Sequence, residues 1–317
     1  MSSSTSDHLS LGAVMFPWPA KMLRDFYFRI ADEGDVDTVY LGEVICSKRS
    51  PFLKHYLSEI TDRLTKGGKK IVFSSMALVG TADEVREMEA LVEKTDGLIE
   101  ANDVSLVRLL QGKPHHLGPF VNIYNEGALD FLTRLGAEKA CLNPELPATV
   151  IKELAQKSAI PLEVIVFGRL PISISARCFD ARAKGRTKDN CRFACLHHRD
   201  GLTISTLENE PFLTVNGMQT LTYGCGNLIQ AIPELQQAGI HSFRLSPQSG
   251  DMVATASLFR QCLAGQIDAT EASTLLASYH PEMPGFANGF LYGQPGHKFI
   301  TDGPVLNPSP LKKTESA

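Results

Sequence analysis

The sequence has little of what marks membrane-bound and secreted proteins. No apolar run approaches the roughly 18–20 residues that cross a bilayer, and residues 1–9 are polar and serine-rich instead of basic and then apolar. Seven cysteines are an odd number, which does not suit a framework of disulfides. We therefore expect a cytoplasmic protein without stable membrane insertion, in which clustered cysteines serve as metal ligands.

Several catalytic and recognition motifs are also absent. The chain has no His-Glu-x-x-His zinc motif, no Gly-x-Ser-x-Gly elbow and no Gly-x-Gly-x-x-Gly fingerprint after a predicted strand. With 31 basic and 35 acidic residues, the net charge is -4, so no overall basic field attracts nucleic acid. We expect no nucleic-acid partner and no nicotinamide or flavin, and we find no direct support for a protease site.

What the chain does have is an alternation of short apolar strands with amphipathic helices. Strands that alternate with helices indicate a parallel sheet, and eight or nine of them favour a closed (β/α) barrel of the TIM type over an open sheet. The predicted strands cover residues 11–16, 38–42, 69–74, 97–101, 120–124, 139–142, 162–168, 212–215 and 241–245. The main predicted helices cover residues 21–31, 51–64, 83–94, 147–157, 227–237 and 251–263.

One domain accounts for nearly all of the chain. Hydrophobic residues make up 43% of it, which is ordinary for a protein with a sizeable core, and no shift in composition marks a boundary. We predict a single barrel over residues 11–300, which a cysteine-bearing loop insertion could distort. Residues 1–10 and 301–317 are expected to be a flexible N-terminus and a flexible tail.

The cysteines are concentrated in one polar stretch, residues 176–198. It contains Cys178, Cys191 and Cys195, and residues 181–190 between the first two are too polar to build a core. Metal ligation would supply the folding free energy that such a segment lacks. Cys46 follows the second predicted strand, so it lies at the carboxyl end of the barrel with the loop that carries Cys178.

The spacing leaves two kinds of metal site open. Four thiolates suit a structural zinc ion or an iron–sulfur cluster. Only Cys191 and Cys195 form a close pair, whereas zinc sites usually combine two such pairs, so the spacing favours the cluster. Cys141 and Cys262 fit core positions, and Cys225, in a glycine-rich loop, is the competing ligand.

Four groups of residues carry a resemblance to a known family. They are residues 40–43 with 46–49, residues 170–171 with 175–179, residues 188–189 with Cys191 and Cys195, and residues 244–248. They resemble the peptidase U32 family, most closely its members that act in ubiquinone biosynthesis, over about residues 11–263. Most of the wider family has a cysteine just after the strand at residues 162–168. This chain has none there and carries Cys46 instead.

The resemblance implies a [4Fe–4S] cluster on Cys46, Cys178, Cys191 and Cys195. It also implies a heterodimer with a UbiU-like protein for oxygen-independent hydroxylation of the ubiquinone-precursor ring, a polyprenylated phenol. A UbiT-like lipid-binding protein would deliver this substrate, and we expect the isoprenoid tail to be held by that protein or at the UbiU interface. The alternatives are a U32-type protease and a cluster-bearing scaffold that catalyses nothing.

Candidates for contact with the substrate ring are weaker. Asn122 and Tyr124 end the fifth predicted strand, and Arg244 lies on the last clear strand. All three would face the barrel mouth, where Arg244 could bind an anionic or phenolic group.

Overall fold

The structure, a computed structural model, describes residues 6–301 of the 317. Its strands are β1 (His8–Leu11), β2 (Thr38–Leu41), β3 (Lys70–Ser74), β4 (Leu98–Ala101), β5 (His115–Leu117), β6 (Ala137–Cys141), β7 (Leu162–Gly168), β8 (Pro171–Ile174), β9 (Leu202–Ser205), β10 (Pro211–Asn216), β11 (Gln219–Thr222), β12 (Cys225–Asn227), β13 (Ser242–Leu245) and β14 (Phe286–Ala287). Its helices are α1 (Ala20–Glu33), α2 (Ser50–Lys54), α3 (Leu57–Lys66), α4 (Ala82–Lys94), α5 (Val104–Leu109), α6 (Glu126–Arg134), α7 (Ala148–Lys157), α8 (Phe179–Ala183), α9 (Ile232–Gln237), α10 (Met252–Leu263) and α11 (Ala269–Tyr279).

Eight parallel strands close into a barrel. Strands β1 to β7 pair in chain order, and β13 pairs with both β1 and β7, which closes the ring. Helices alternate with these strands around the outside, as the apolar pattern predicted. The prediction of a TIM-like (β/α) barrel is therefore confirmed. No helix in the described range combines the length and apolar character needed to cross a bilayer.

The cysteine-rich stretch belongs to an insertion between β7 and β13. This insertion forms a four-stranded antiparallel sheet in the order β8-β11-β10-β9. Residues 212–215, predicted as a barrel strand, lie in β10 of this second sheet, so that assignment was wrong. An apolar run with β-branched residues indicates a strand but does not say which sheet the strand joins.

Two further strand predictions were wrong in position. Residues 120–124 form a loop, because Asn122 adopts a left-handed backbone (φ 63°) that ends any strand there. The fifth strand is β5, whose His-His-Leu sequence has no apolar alternation to reveal it. The first strand ends at Leu11 and begins at His8, inside residues 1–10, where we predicted a flexible N-terminus. The predicted tail lies outside the described residues except for Thr301.

The helix predictions were closer. Thr81 caps α4 by accepting a hydrogen bond from the backbone N–H of Glu84, whose side chain bonds back to Thr81. Residues 51–64, predicted as one helix, instead form α2 and α3, with a break at His55 and Tyr56. The apolar spacing continues across this break, so the pattern alone could not place it.

The barrel interior holds a buried ionic cluster. The Arg244 guanidinium on β13 lies 2.6 Å from a carboxylate oxygen of Glu100 on β4 and 2.5 Å from one of Glu163 on β7. Its carbon stands 3.8 Å from the centre of the Tyr40 ring. All four side chains are at most 5% exposed. Together they join β2, β4, β7 and β13 across the barrel.

Removing one charge from this cluster should destabilise the fold. Glu163→Gln keeps the side-chain shape but leaves the Arg244 charge half-compensated, and breaking a buried pair costs about 3–5 kcal/mol. Urea denaturation should show a loss of that order in the free energy of unfolding. The matched variant Glu138→Gln changes an exposed carboxylate on β6 and should stay within about 0.5 kcal/mol of the native protein.

The same variant has a pH signature. Burial would raise the pKa of Glu163, but Arg244 and Lys139 outweigh it and hold the pKa well below its usual range. The stabilisation is therefore complete above the unfolded-state pKa, about 4.3, and is lost as pH falls below it. The stability difference between native protein and Glu163→Gln should shrink below that pH; a difference that grows on acidification would contradict the assignment.

Candidate metal centre

Cys46 follows β2 and is held by a buried ion pair. The Glu43 carboxylate accepts hydrogen bonds from the backbone N–H groups of Ile45 and Cys46, both at 2.9 Å. It also pairs at 2.8 Å with the guanidinium of Arg49, whose side chain is only 2% exposed. These bonds close the turn after β2, so the Cys46 thiol has a defined position at the carboxyl end of the barrel.

Cys178 lies in the insertion, directly before α8. Its sulfur accepts a hydrogen bond from the backbone N–H of Ala181 at 3.5 Å. The Asp180 carboxylate accepts one from the backbone N–H of Gly217 at 2.7 Å, which fastens α8 to the turn between β10 and β11. The second sheet therefore positions this cysteine.

Cys191 and Cys195 lie on either side of a tight turn. Arg192 and Phe193 both have left-handed backbones, with φ of 49° and 51°. For residues other than glycine this conformation costs of order 1 kcal/mol or more, and surrounding contacts must hold it. The Phe193 ring packs 5.3 Å from that of Phe52 on α2, which anchors the turn to the barrel beside Cys46.

The four cysteines converge. Cys178 is part of a small buried apolar cluster, and Cys46 and Cys191 pack against it. Cys195 is 9% exposed. Burial raises its pKa to about 12; Arg49 opposes this rise, and neighbouring groups that include Cys178 and Cys46 add to it. The structure thus brings together the four residues that the sequence singled out, and no disulfide joins them.

The other three cysteines lie elsewhere. Cys141 on β6 and Cys225 on β12 are buried in separate parts of the core, and Cys262 on α10 packs against the main core. Burial raises the pKa of Cys225 to about 12. This competing ligand therefore stands apart from the converging thiols.

The donor set consists of four cysteine thiols, which suit either an iron–sulfur cluster or a zinc ion. Among residues 6–301, no three His, Cys, Asp or Glu side chains are grouped closely enough to hold one metal ion. An iron–sulfur cluster takes one thiolate on each of four irons. Four converging thiols are therefore a donor set that such a cluster can take.

Basic side chains make contacts around the cysteine loop. The Lys48 ammonium donates to the backbone carbonyl of Asp189 at 2.9 Å, and Lys188 pairs with Glu84 at 3.0 Å. These two contacts fasten the loop to the barrel. The Arg186 guanidinium donates to the backbone carbonyl of Cys191 at 3.5 Å, within the loop itself.

The three weaker candidates for contact with the substrate ring, Arg244, Asn122 and Tyr124, are not brought together. Arg244 is buried inside the barrel and paired with two carboxylates, so no charge remains for an outside anion. Asn122 and Tyr124 lie on the exposed loop after β5. The Asn122 side chain accepts a hydrogen bond from Asn143, and the Tyr124 hydroxyl donates to Glu145. Burial, with Glu145 as a second cause, raises the pKa of Tyr124 to about 12.

The barrel mouth itself is nearly filled. A cavity between Met15, Glu100, Phe120 and Arg244 has a volume of about 20 Å³, which is room for about one water molecule. An aromatic ring does not fit there in this conformation. Sequence reasoning missed Glu100 and Glu163 because carboxylates within apolar strands carry no signal of their own.

The fold and the site define a (β/α) barrel protein with four cysteines gathered at the carboxyl end of its strands. The sequence profile of Peptidase family U32 matches residues 23–301. The chain therefore belongs to the peptidase U32 family.

The chain is similar to a curated protein and to solved structures. The tRNA hydroxylation protein P1 of Bacillus subtilis (strain 168) is 22% identical over 303 residues, which cover 85% of this chain and 69% of that protein. The solved structure of the U32 peptidase Mk0906 is 12% identical and covers 78% of this chain and 96% of its own, with a TM-score of 0.46. A DAHP synthase from Thermotoga maritima is 13% identical, covers 86% and 70%, and has a TM-score of 0.43.

Single cysteine variants test the ligand set. We expect Cys46→Ser, Cys178→Ser, Cys191→Ser and Cys195→Ser each to lose most bound iron, because a missing thiolate leaves an iron without its protein ligand. Iron and acid-labile sulfide would be measured after purification without oxygen. The control variants Cys141→Ser and Cys262→Ser should retain both. Full iron content in Cys46→Ser would exclude Cys46 as a ligand and make Cys225 the next candidate.

Proposed function

We propose that the chain is a UbiV-like iron–sulfur protein that works with a UbiU-like partner in oxygen-independent hydroxylation of the ubiquinone-precursor ring. The observation that carries this proposal is the convergence of Cys46, Cys178, Cys191 and Cys195. Its support from comparison is membership of the U32 family and a relative named for hydroxylation of tRNA. The name of that relative supports hydroxylation chemistry, and the family match supports a shared barrel.

The residues of this chain have distinct roles in the proposal. The four thiolates would bind a [4Fe–4S] cluster, which supplies one-electron transfer when bound. Glu43 and Arg49 fix the turn that carries Cys46. The insertion carries the other three ligands, and the barrel mouth has room for only about one water molecule, so the ring would be received outside the barrel axis.

The first test is composition. Protein purified without oxygen should contain about four irons and four sulfides per chain and absorb broadly in the visible range. A colourless protein with one zinc ion would instead establish a structural site. We also expect the visible absorbance to bleach in air, since the loops that carry Cys46 and Cys191 leave both only partly buried.

The second test is activity in cells grown without oxygen. Co-expression with a UbiU-like protein should convert the ubiquinone precursor to its hydroxylated product, measured by mass spectrometry of lipid extracts. Cys178→Ser should abolish this product, and Cys141→Ser should not. Hydroxylated tRNA together with an unchanged precursor would instead show that the substrate is RNA. Peptide cleavage without either product would favour a protease.

The third test concerns the partner. Size-exclusion chromatography of the co-expressed proteins should give a stable one-to-one complex, because the filled mouth of this barrel leaves the ring without an enclosing site. A chain that hydroxylates the ring alone would contradict the heterodimer. A chain that only stabilises a fully active partner would be a scaffold.

A further inference from the structure

One barrel strand is incompletely covered on its outer side. Alternate residues of a strand point to opposite faces, and Val72 and Ser74 of β3 are buried inside the barrel. Ile71 and Phe73 point outward and are only half-buried. On the neighbouring strands, the outward residues Val39, Leu41 and Ile99 are at most 3% exposed. The outer helices leave a gap at β3.

The gap is a groove between α2–α3 and α4. Its lower part has a volume of about 880 Å³ and its upper part about 110 Å³. The two parts share Lys54, Leu57, Phe73, Glu87 and Leu91, so they are continuous. Apolar side chains occur along both parts: Leu57, Phe73 and Leu91 are shared, Leu53, Met76 and Met88 line the upper part, and Ala90 lines the lower part. Charged side chains also line the lower part, namely Lys54, Asp83, Arg86, Glu87, Lys94 and Asp96.

The groove runs the full height of the barrel wall. Its lower end lies at residues 95–97, just before β4 begins. Its upper end reaches Gly42 and Glu43, just after β2 ends. The Glu43 carboxylate is the group that holds the backbone of Cys46. The upper end therefore reaches the turn that carries Cys46.

We propose that this groove binds the polyprenyl tail of the substrate, with the phenol head at the Cys46 loop. The inference rests on the proposed function for the identity of the substrate. A continuous groove with apolar side chains along both parts suits an extended isoprenoid chain, and covering Phe73 and Leu91 would remove apolar surface from water. The tail is then bound by this chain itself, whereas the sequence analysis predicted that a partner or the interface with it would hold the tail.

The shape of the groove favours a thin chain over a protein helix. The Lys54 ammonium on α2 and the Glu87 carboxylate on α4 pair at 3.0 Å across the groove, where its two parts meet. A helix with its side chains is about 10–12 Å wide, so it would have to break this bridge. A polyprenyl chain is only a few atoms across and needs far less width than a helix.

Filling the groove tests the proposal. Ala90 lies on α4 and lines the lower part of the groove. In Ala90→Trp the indole would occupy the space of the tail. The probe is the fluorescent N-methylanthraniloyl ester of farnesol, titrated into the purified full chain. We expect its dissociation constant to rise at least tenfold in this variant. The matched control Ala277→Trp, at an exposed position on α11, should bind the probe as the native chain does.

A second variant keeps the test valid if tryptophan disturbs folding. Leu57→Gln places an amide on the groove floor and should weaken probe binding by a similar factor, while the thermal unfolding midpoint and iron content remain near native values. Equal probe affinity in the native chain and in both groove variants would overturn the proposal. So would unchanged probe binding together with loss of the one-to-one complex in Ala90→Trp, because the groove would then hold a partner helix.

The outcome is separable from that of the proposed function. Cys178→Ser removes a proposed cluster ligand that lines neither part of the groove, so this variant should still bind the probe. Native chain that binds the probe in the groove but contains no iron would refute the cluster and leave the groove assignment standing. Native chain that contains the cluster but does not bind the probe would refute the groove assignment and leave the cluster standing.

Discussion

The guanidinium of Arg49 is the contact on which the candidate centre depends. It is buried and meets three segments at once: the Glu43 carboxylate after β2, the backbone carbonyl of Met15 after β1, and the side-chain oxygen of Asn216 at the end of β10. Since β10 belongs to the insertion, this one side chain ties the second sheet to the barrel. A charge at this depth is tolerated only because Glu43 compensates it.

The insertion is seated on the barrel through few but specific polar contacts. The Met15 carbonyl also accepts from the side-chain amides of Asn216 and Gln219, at 3.4 and 3.0 Å. Apolar residues from both units, among them Tyr40 and Met218, surround Cys178. Specific hydrogen bonds set the orientation, and the apolar cluster supplies most of the favourable free energy.

The barrel was predictable from sequence because its strands and helices have distinct apolar periods. The strand 162–168 matched to the residue, and the Thr81 cap was correct, since both depend on local chemistry. The strand at His115 could not be found, because its burial comes from neighbouring strands and not from its own composition. Cys46 and Cys178 were placed on the same face by topology. The buried partners of Arg244 could not be predicted, because pairing across a barrel leaves no pattern in the local sequence.

The four thiols come from two structural units. Cys46 follows a strand of the parallel barrel, and the other three cysteines lie on the insertion that contains the antiparallel sheet. A nascent or misfolded chain can present at most the three neighbouring cysteines together. All four thiols come together only after the barrel has closed and the insertion has docked. In the proposed cluster protein, retained iron would therefore report that both units have reached their native arrangement.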